Sequence, residues 1–288
     1  MSERVTLTVD DPTHGKLDFD ALIAGPVDGP PVILLHGFPQ AGSSWRRIWP
    51  GLAEAGYRVL VPDQRGYSPG ARPPGDEDYA VLELVGDVIA FADSQGWGSF
   101  ALVGHDWGGA VAWQVAGRHP DRVERLAVVS TPHPNAFTAA LDGAGPVGDD
   151  DQSTKSSYLA DFRDPGLPAM MMADDRGVLG LVLEGSGMDP ESAALCAERI
   201  QTVEDMDGAL RWYRAGSPAA AGGLGPITMP TLYVWSTDDI ALGRTAAELT
   251  GDQVDGPYRF EVLDGISHWI PEEAPDVLGA LLLEHLKS

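Results

Sequence analysis

A short apolar run, Phe100-Ala101-Leu102-Val103, breaks at Gly104 and restarts as an apolar-rich segment from Ala110 to Ala116. Between them lies Gly104-His105-Asp106-Trp107-Gly108. This is the spacing of a strand–turn–helix elbow that lifts its middle side chain clear of a sheet, with Asp where Ser is the more familiar occupant. Glycines on both sides suit a turn so tight that a Cβ would strike the neighbouring strand or helix. The turn aims Asp106 at a helix start, where backbone N–H groups and the helix dipole favour negative charge. A carboxylate with a reference pKa of about 3.9 is already an anion at neutral pH and needs no base to activate it. Its attack on an ester would give only a reactive anhydride, so it suits displacement at saturated carbon bearing a leaving group. A Gly-flanked turn with an Asp capping a helix is the plainer alternative, and this stretch alone leaves both open.

Two further stretches change the balance. Thr237-Asp238-Asp239 follows the apolar run Thr231 to Trp235, and Gly265-Ile266-Ser267-His268 follows the run Tyr258 to Leu263. Nucleophile, acid and then histidine is the chain order of a hydrolytic triad on an α/β sheet. His268, oriented by an acid, would activate a water to attack the carbonyl carbon of an ester formed on Asp106. The acids Asp238 and Asp239 are adjacent, and the offset from the strand end favours Asp239 while leaving Asp238 open. His36-Gly37-Phe38-Pro39 follows the buried run Val32 to Leu35. The backbone N–H groups of Phe38 and Trp107 are placed to meet charge developing on the carboxylate. Trp107, Phe38 and Pro39 are expected to line the substrate site.

The elements that must position these residues read as alternating strands and helices. Val5 to Val9 and Leu17 to Ile23 alternate apolar and polar, as an antiparallel edge pair does. Val32 to Leu35, Tyr57 to Val61, Phe100 to Val103 and Arg125 to Val129 read as buried strands, and helical patterns run over Ser43 to Ala55 and Leu82 to Ala92. Such alternation predicts a mostly parallel, doubly wound α/β sheet whose ligands sit beyond the carboxyl ends of the strands. The rhythm stops near Pro132-His133-Pro134 and resumes at Thr231. The economical division is a core of residues 1–133 and 225–288 interrupted by a helical lid over 134–224. Asp149-Asp150-Asp151 reads as a solvated loop, and Met170-Met171-Met172 as either a tunnel lining or adaptable core filler.

With 19 basic and 43 acidic residues among 288, the formal charge is −24. Nucleic acid and anionic membrane, which need positive surface, are excluded as expected partners. One cysteine, Cys196, rules out an internal disulfide and fits a lid core residue in a reducing compartment. The start of the chain has no apolar signal segment and no run approaches spanning length, so a cytoplasmic protein is expected. Neither metal-ligand spacing nor a phosphate-cradling glycine loop is present, so neither metal nor cofactor is expected. His14, His119, His133 and His285 have no partner motif and read as structural or exposed. His36 and His105 belong to the motif loops and are expected to brace them.

Taken together, the motifs resemble those of the α/β-hydrolase superfamily, in its branch with an aspartate nucleophile. His36-Gly37-Phe38-Pro39, Asp63-Gln64-Arg65-Gly66-Tyr67-Ser68 and Gly104-His105-Asp106-Trp107-Gly108-Gly109 are similar to the soluble epoxide hydrolase versions of the family motifs. The resemblance covers nearly the whole chain and implies an eight-stranded sheet with an inserted helical lid. Within the lid, Ser157 to Gly166 resembles the segment that holds a first tyrosine, and Arg211-Trp212-Tyr213-Arg214 the one that holds a second. The resemblance therefore implies that Tyr158 and Tyr213 are ring-opening acids, although both rings could simply pack the lid. An epoxide oxygen leaves as an alkoxide and needs such donors, whereas a halide needs only N–H donors such as paired Trp or Trp/Asn side chains. The expected activity is conversion of an apolar epoxide to a vicinal diol. A haloalkane or haloacid dehalogenase with the same nucleophile is the alternative enzyme, and a non-catalytic small-molecule binder the alternative of another class. A homodimer is compatible with the sequence.

Overall fold

A computed structural model describes residues 2–145, 151–173, 177–217 and 224–287. Asp149 and Asp150 of the acidic run lie outside the described residues. Eight strands form one sheet: β1 (Ser2–Asp11), β2 (Gly15–Ala24), β3 (Pro31–Leu35), β4 (Arg58–Pro62), β5 (Phe100–His105), β6 (Val123–Val129), β7 (Thr231–Asp238) and β8 (Tyr258–Ser267). Their spatial order is β1-β2-β4-β3-β5-β6-β7-β8. β2 runs antiparallel to β1 and β4, and every other neighbouring pair is parallel. The expected doubly wound sheet with an antiparallel edge is therefore present.

Buried parallel strands serve two cores at once, because successive side chains leave opposite faces. Ile33, Leu35, Leu102 and Val128 pack on one face, and Val32, Leu34, Val103 and Ala127 on the other. The register places Leu34 beside Val103 and Val103 beside Ala127. The first face is covered by α2 (Val81–Ser94) and α3 (Trp107–Arg118), the second by α1 (Trp49–Glu54) and the closing helix Pro275–Lys287. Trp113 of α3 is fully buried, and its truncation to Ala would cost about 3–5 kcal/mol.

The helical pattern over Ser43 to Ala55 does not form one helix. A 3-10 turn covers Gly42–Arg47, and α1 begins afresh at Trp49. Pro50 in the first turn explains the restart, since proline lacks an N–H and is accommodated where helical N–H groups have no partner. Between β6 and β7 the described residues form helices and no strand of the sheet: α4 (Pro134–Leu141), α5 (Gln152–Lys155), α6 (Tyr158–Phe162), α7 (Leu167–Met171), α8 (Gly177–Gly185), α9 (Pro190–Arg199) and α10 (Val203–Arg214). After β7 come α11 (Arg244–Leu249), α12 (Ile270–Glu273) behind β8, and finally α13 (Pro275–Lys287). Among the described residues no helix is long and apolar enough to cross a membrane.

Candidate active site

Four strand ends meet at one edge of the sheet. β5 ends at His105, and Asp106 turns the chain with φ 52° and ψ −122° before α3 starts at Trp107. Such backbone in a residue with a Cβ costs on the order of 1–3 kcal/mol and is held by its surroundings. The elbow glycines are required by contact. A Cβ on Gly104 would lie 2.2 Å from the Gly108 carbonyl oxygen, and one on Gly108 would lie 2.4 Å from that of Leu35. Gly37 is a third: its Cβ would reach within 2.2 Å of Asp106 Oδ1.

That opening lets the Phe38 backbone N–H donate to Asp106 Oδ1 at 2.7 Å. The second carboxylate oxygen, Oδ2, lies 3.4 Å from His268 Nε2. His268 follows β8 directly, and its Nδ1 lies 2.7 Å from Asp239 Oδ2. Asp239 is the first residue after β7, which runs on to Asp238, past the expected end at Trp235. Its other oxygen accepts the backbone N–H groups of Ala241 and Leu242 at 2.8 and 2.9 Å. Asp238 is exposed, so of the two adjacent acids Asp239 is the one joined to the histidine.

The electrostatics follow from burial and proximity. Burial would depress the His268 imidazole, but the Asp239 and Asp106 carboxylates overcome it and push His268 up to about 10. Burial would raise Asp106, yet its hydrogen bond to His268, the imidazolium charge and the Trp107 backbone N–H hold it below the usual carboxylate range. His268 therefore stands between two carboxyl groups that both favour its charged form.

The helical segment supplies the opposite wall. Tyr158 opens α6 and Tyr213 lies near the end of α10, a helix started by a Thr202–Asp205 capping box. The Tyr213 ring packs edge-on against Trp107 at 5.1 Å and Phe38 at 5.3 Å between centroids. Phe162 bridges the two tyrosines, 5.0 Å from each. Burial and then the Asp106 charge push both phenols well above their ordinary range, so both keep their protons as donors. α10 is docked by the Trp212 indole N–H on the Arg65 carbonyl at 2.8 Å. Beside it Gly66 and Gly208 meet back to back, each leaving 2.6 Å or less between an added Cβ and the other's carbonyl oxygen.

A cavity of about 160 Å³ is walled by Asp106, Trp107, Tyr158 and Tyr213, with apolar surface from Phe137 and Leu141 of α4 and from Leu242. The expected wall is corrected in part. Trp107 lines the cavity, but Phe38 and Pro39 do not; the Phe38 ring lies under Phe162 and Tyr213, leaving its N–H as its contribution. The three consecutive methionines also lie off the wall, with Met171 buried in the core and Met170 exposed. Cys196 is buried, its sulfur 3.9 Å from that of Met188.

His36 and His105 brace loops as expected. His36 Nε2 accepts the Gln64 N–H at 3.1 Å, and His105 Nε2 lies 2.9 Å from the His268 carbonyl. Of the other histidines, His14 pairs with Asp78 at 2.8 Å, while His133 caps α4 by accepting the Asn135 N–H. Three residues escaped the sequence reading. Gln152 ties α5 to the Asp239 loop through the Ala241 carbonyl and the Gly243 N–H, both at 2.8 Å. Gln40 and Glu272, joined at 2.6 Å, sit behind His105. Only Gln40, the residue after His36-Gly37-Phe38-Pro39, stood near a motif. No cluster of His, Cys, Asp and Glu fit to hold a metal occurs among the described residues.

With this geometry the chain belongs to the α/β-hydrolase fold family, whose model matches residues 30–170. It is 33% identical over 276 residues to an AB hydrolase superfamily protein, YfhM, of Bacillus subtilis, covering 92% of this chain and 93% of that protein. It is likewise 33% identical over 302 residues to epoxide hydrolase A of Mycobacterium tuberculosis, covering 91% and 92% of the two chains. A solved structure described among novel epoxide hydrolases from metagenomes of hot environments superposes with a TM-score of 0.82 at 33% identity, covering 99% of this chain and 98% of that one.

Proposed function

We propose that this chain is an epoxide hydrolase that opens an epoxide to a vicinal diol through an alkyl ester on Asp106. One observation carries the reading: a buried carboxylate and two protonated phenols line one apolar cavity, and a histidine–aspartate pair is joined to that carboxylate. Similarity to proteins named epoxide hydrolases supports it. The segment 134–224 serves as the lid that carries the phenols and shuts the reacting centre from bulk water.

Asp106 Oδ2, the oxygen away from the Phe38 N–H, attacks one ring carbon. The carbon–oxygen bond of the ring breaks and Tyr158 or Tyr213 gives its proton to the departing oxygen. The resulting tyrosinate recovers a proton from the His268 imidazolium, directly or through water. That transfer leaves neutral imidazole as Asp106 becomes an uncharged ester. Losing the Asp106 charge also removes part of what holds the His268 pKa high, so the first half-reaction creates the base for the second. His268 then takes a proton from water, hydroxide adds to the ester carbonyl carbon, and the oxyanion forms at Oδ1 before the Phe38 N–H. Collapse releases the diol and restores carboxylate and imidazolium.

The test is multiple turnover in heavy-oxygen water followed by peptide mass analysis. Label in Asp106 and unlabelled diol from the first turnover are expected. Label in the first-turnover diol with none in Asp106 would mean direct water attack, and halide release with no diol from any epoxide would mean dehalogenation.

A further inference from the structure

Behind His268 runs a buried polar chain that the mechanism above leaves idle. Glu272 lies on α12, only 3% exposed. Its Oε1 is 2.6 Å from Gln40 Nε2, and its Oε2 is buried without a hydrogen-bond partner among the described residues. The other end of the Gln40 amide, Oε1, is 3.0 Å from His105 Nδ1. His105 Nε2 in turn is 2.9 Å from the His268 carbonyl oxygen, which also accepts from Ser130 Oγ at 3.1 Å.

Counting protons along this chain fixes its direction. A carbonyl oxygen can only accept, so His105 must carry its hydrogen on Nε2. Neutral imidazole then presents Nδ1 as an acceptor, and burial holds His105 neutral by lowering it to about 4. The group facing Nδ1 must therefore be the Gln40 NH₂, obtained by a half-turn of an amide whose two ends are isosteric. That half-turn puts the Gln40 oxygen against Glu272 Oε1, and two oxygens at 2.6 Å need a hydrogen between them. Every donor then points one way, from Glu272 to Gln40 to His105 to the His268 carbonyl.

We infer that Glu272 is a carboxylic acid in the folded protein and, acting through Gln40 and His105, is a positioning residue for His268. The surroundings suit a neutral acid. Burial pushes the Glu272 carboxyl up, the Arg46 charge pulls it back and Asp189 adds to the rise, leaving it at about 8 even with the Gln40 NH₂ turned toward it. The Arg47 guanidinium, on the same 3-10 turn as Arg46, is spent on the Glu272 backbone carbonyl and on Asp189 and Glu191. Arg46 itself turns to Ser192 and Glu191. Glu273, its neighbour on α12, is taken by Ser267, and Cys196 of α9 stays a thiol because burial raises it. A cleft of about 350 Å³ is lined by Arg47, Asp189, Trp269 and Glu272. Ionising Glu272 reverses the chain: His105 must move its hydrogen to Nδ1, and a bare Nε2 then faces the His268 carbonyl.

The role assigned to His268 rests on the hydrolase reading, whereas the proton assignment can be tested without turnover. Glu272→Gln keeps a donor toward the Gln40 oxygen but cannot ionise; Glu272→Leu removes it. We expect Glu272→Gln to keep kcat within about twofold at pH 7 and to lose an alkaline fall in kcat centred near pH 8. Glu272→Leu should lose kcat by about 10–100-fold with KM little changed. In melting, Glu272→Gln should gain on the wild type as pH rises from 5 to 8 and then stay level. The reason is that the unfolded carboxyl ionises from a normal 4.5 upward while the folded one holds its proton to about 8. Infrared titration of the wild type should show one protonated-carboxyl carbonyl band that disappears near pH 8. A level melting difference and no such band would overturn the proton assignment, and equal impairment of both variants at pH 7 would overturn the positioning role. Absent epoxide turnover with the band present would refute the hydrolase reading alone.

Discussion

The two walls of the site are built by different means. On the sheet side, Asp106, His268 and Asp239 stand at the ends of three strands and are tied by hydrogen bonds and backbone N–H groups at 2.7–3.4 Å. On the helical side, Tyr158 and Tyr213 are set mainly by edge-on ring contacts with Phe162, Phe38 and Trp107 at 5.0–5.3 Å, with one side-chain hydrogen bond between Tyr213 and Trp107. Hydrogen bonds fix direction as well as distance, whereas ring packing fixes position and tolerates small rotations. A nucleophile and its base need the first kind of control. In the proposed mechanism the phenols, which would follow an oxygen as it swings out of a three-membered ring, are served by the second.

Breaking the sheet wall should have the larger consequences. Asp106→Asn removes the attacking anion and should lower kcat on the order of 10⁴-fold or more, with circular dichroism unchanged. His268→Gln should lower kcat by roughly 10²–10⁴-fold. Because attack precedes base catalysis, this variant should accumulate an ester, visible as one substrate mass added to the intact protein. On the helical wall, Tyr158→Phe and Tyr213→Phe keep the rings. Each should reduce kcat/KM for epoxides by about 10–100-fold with the melting temperature held. If both also slowed displacement of halide, the phenols would be packing the cavity and not donating.

Smaller effects sharpen the same contrast. Gly208→Ala drives a Cβ to 2.6 Å from the Gly66 carbonyl and should cost about 1–3 kcal/mol while shifting kcat and KM together, read by melting and steady-state kinetics. The folded His268 pKa is raised above its unfolded value of 6.5, to about 10. Its stabilisation is therefore complete below pH 6.5 and lost as pH rises toward 10. Asp106→Asn removes one of the charges responsible, so melting curves between pH 6.5 and 10 should fall less steeply in that variant.

The sheet wall was legible in the amino-acid sequence, because each of its residues adjoins an apolar run ending in a turn. Strand ends localise chemistry in such folds, and the chain order of Asp106, Asp239 and His268 carried the rest. Choosing between Asp238 and Asp239 took coordinates, since one residue more of β7 exchanges inside for outside. The helical wall was legible only at its tyrosines. Phe137 and Leu141 sit on a short helix after β6 and Leu242 follows β7, so their meeting depends on how separate elements dock. Gln40 and Glu272 are 232 residues apart, and polar partners at that separation leave no periodic trace. Pro50 likewise defeated the single helix expected from Ser43, where spacing alone overrode a local backbone rule.

The meeting of Gly66 with Gly208 bears on how this pocket can be reshaped. Carbonyl against α-carbon leaves no room for a side chain at either glycine, so the helix that carries Tyr213 is a poor place to begin a redesign. Variation aimed at bulkier guests belongs instead at Phe137, Leu141 and Leu159, whose side chains face the void while their backbones stand clear of that glycine seam.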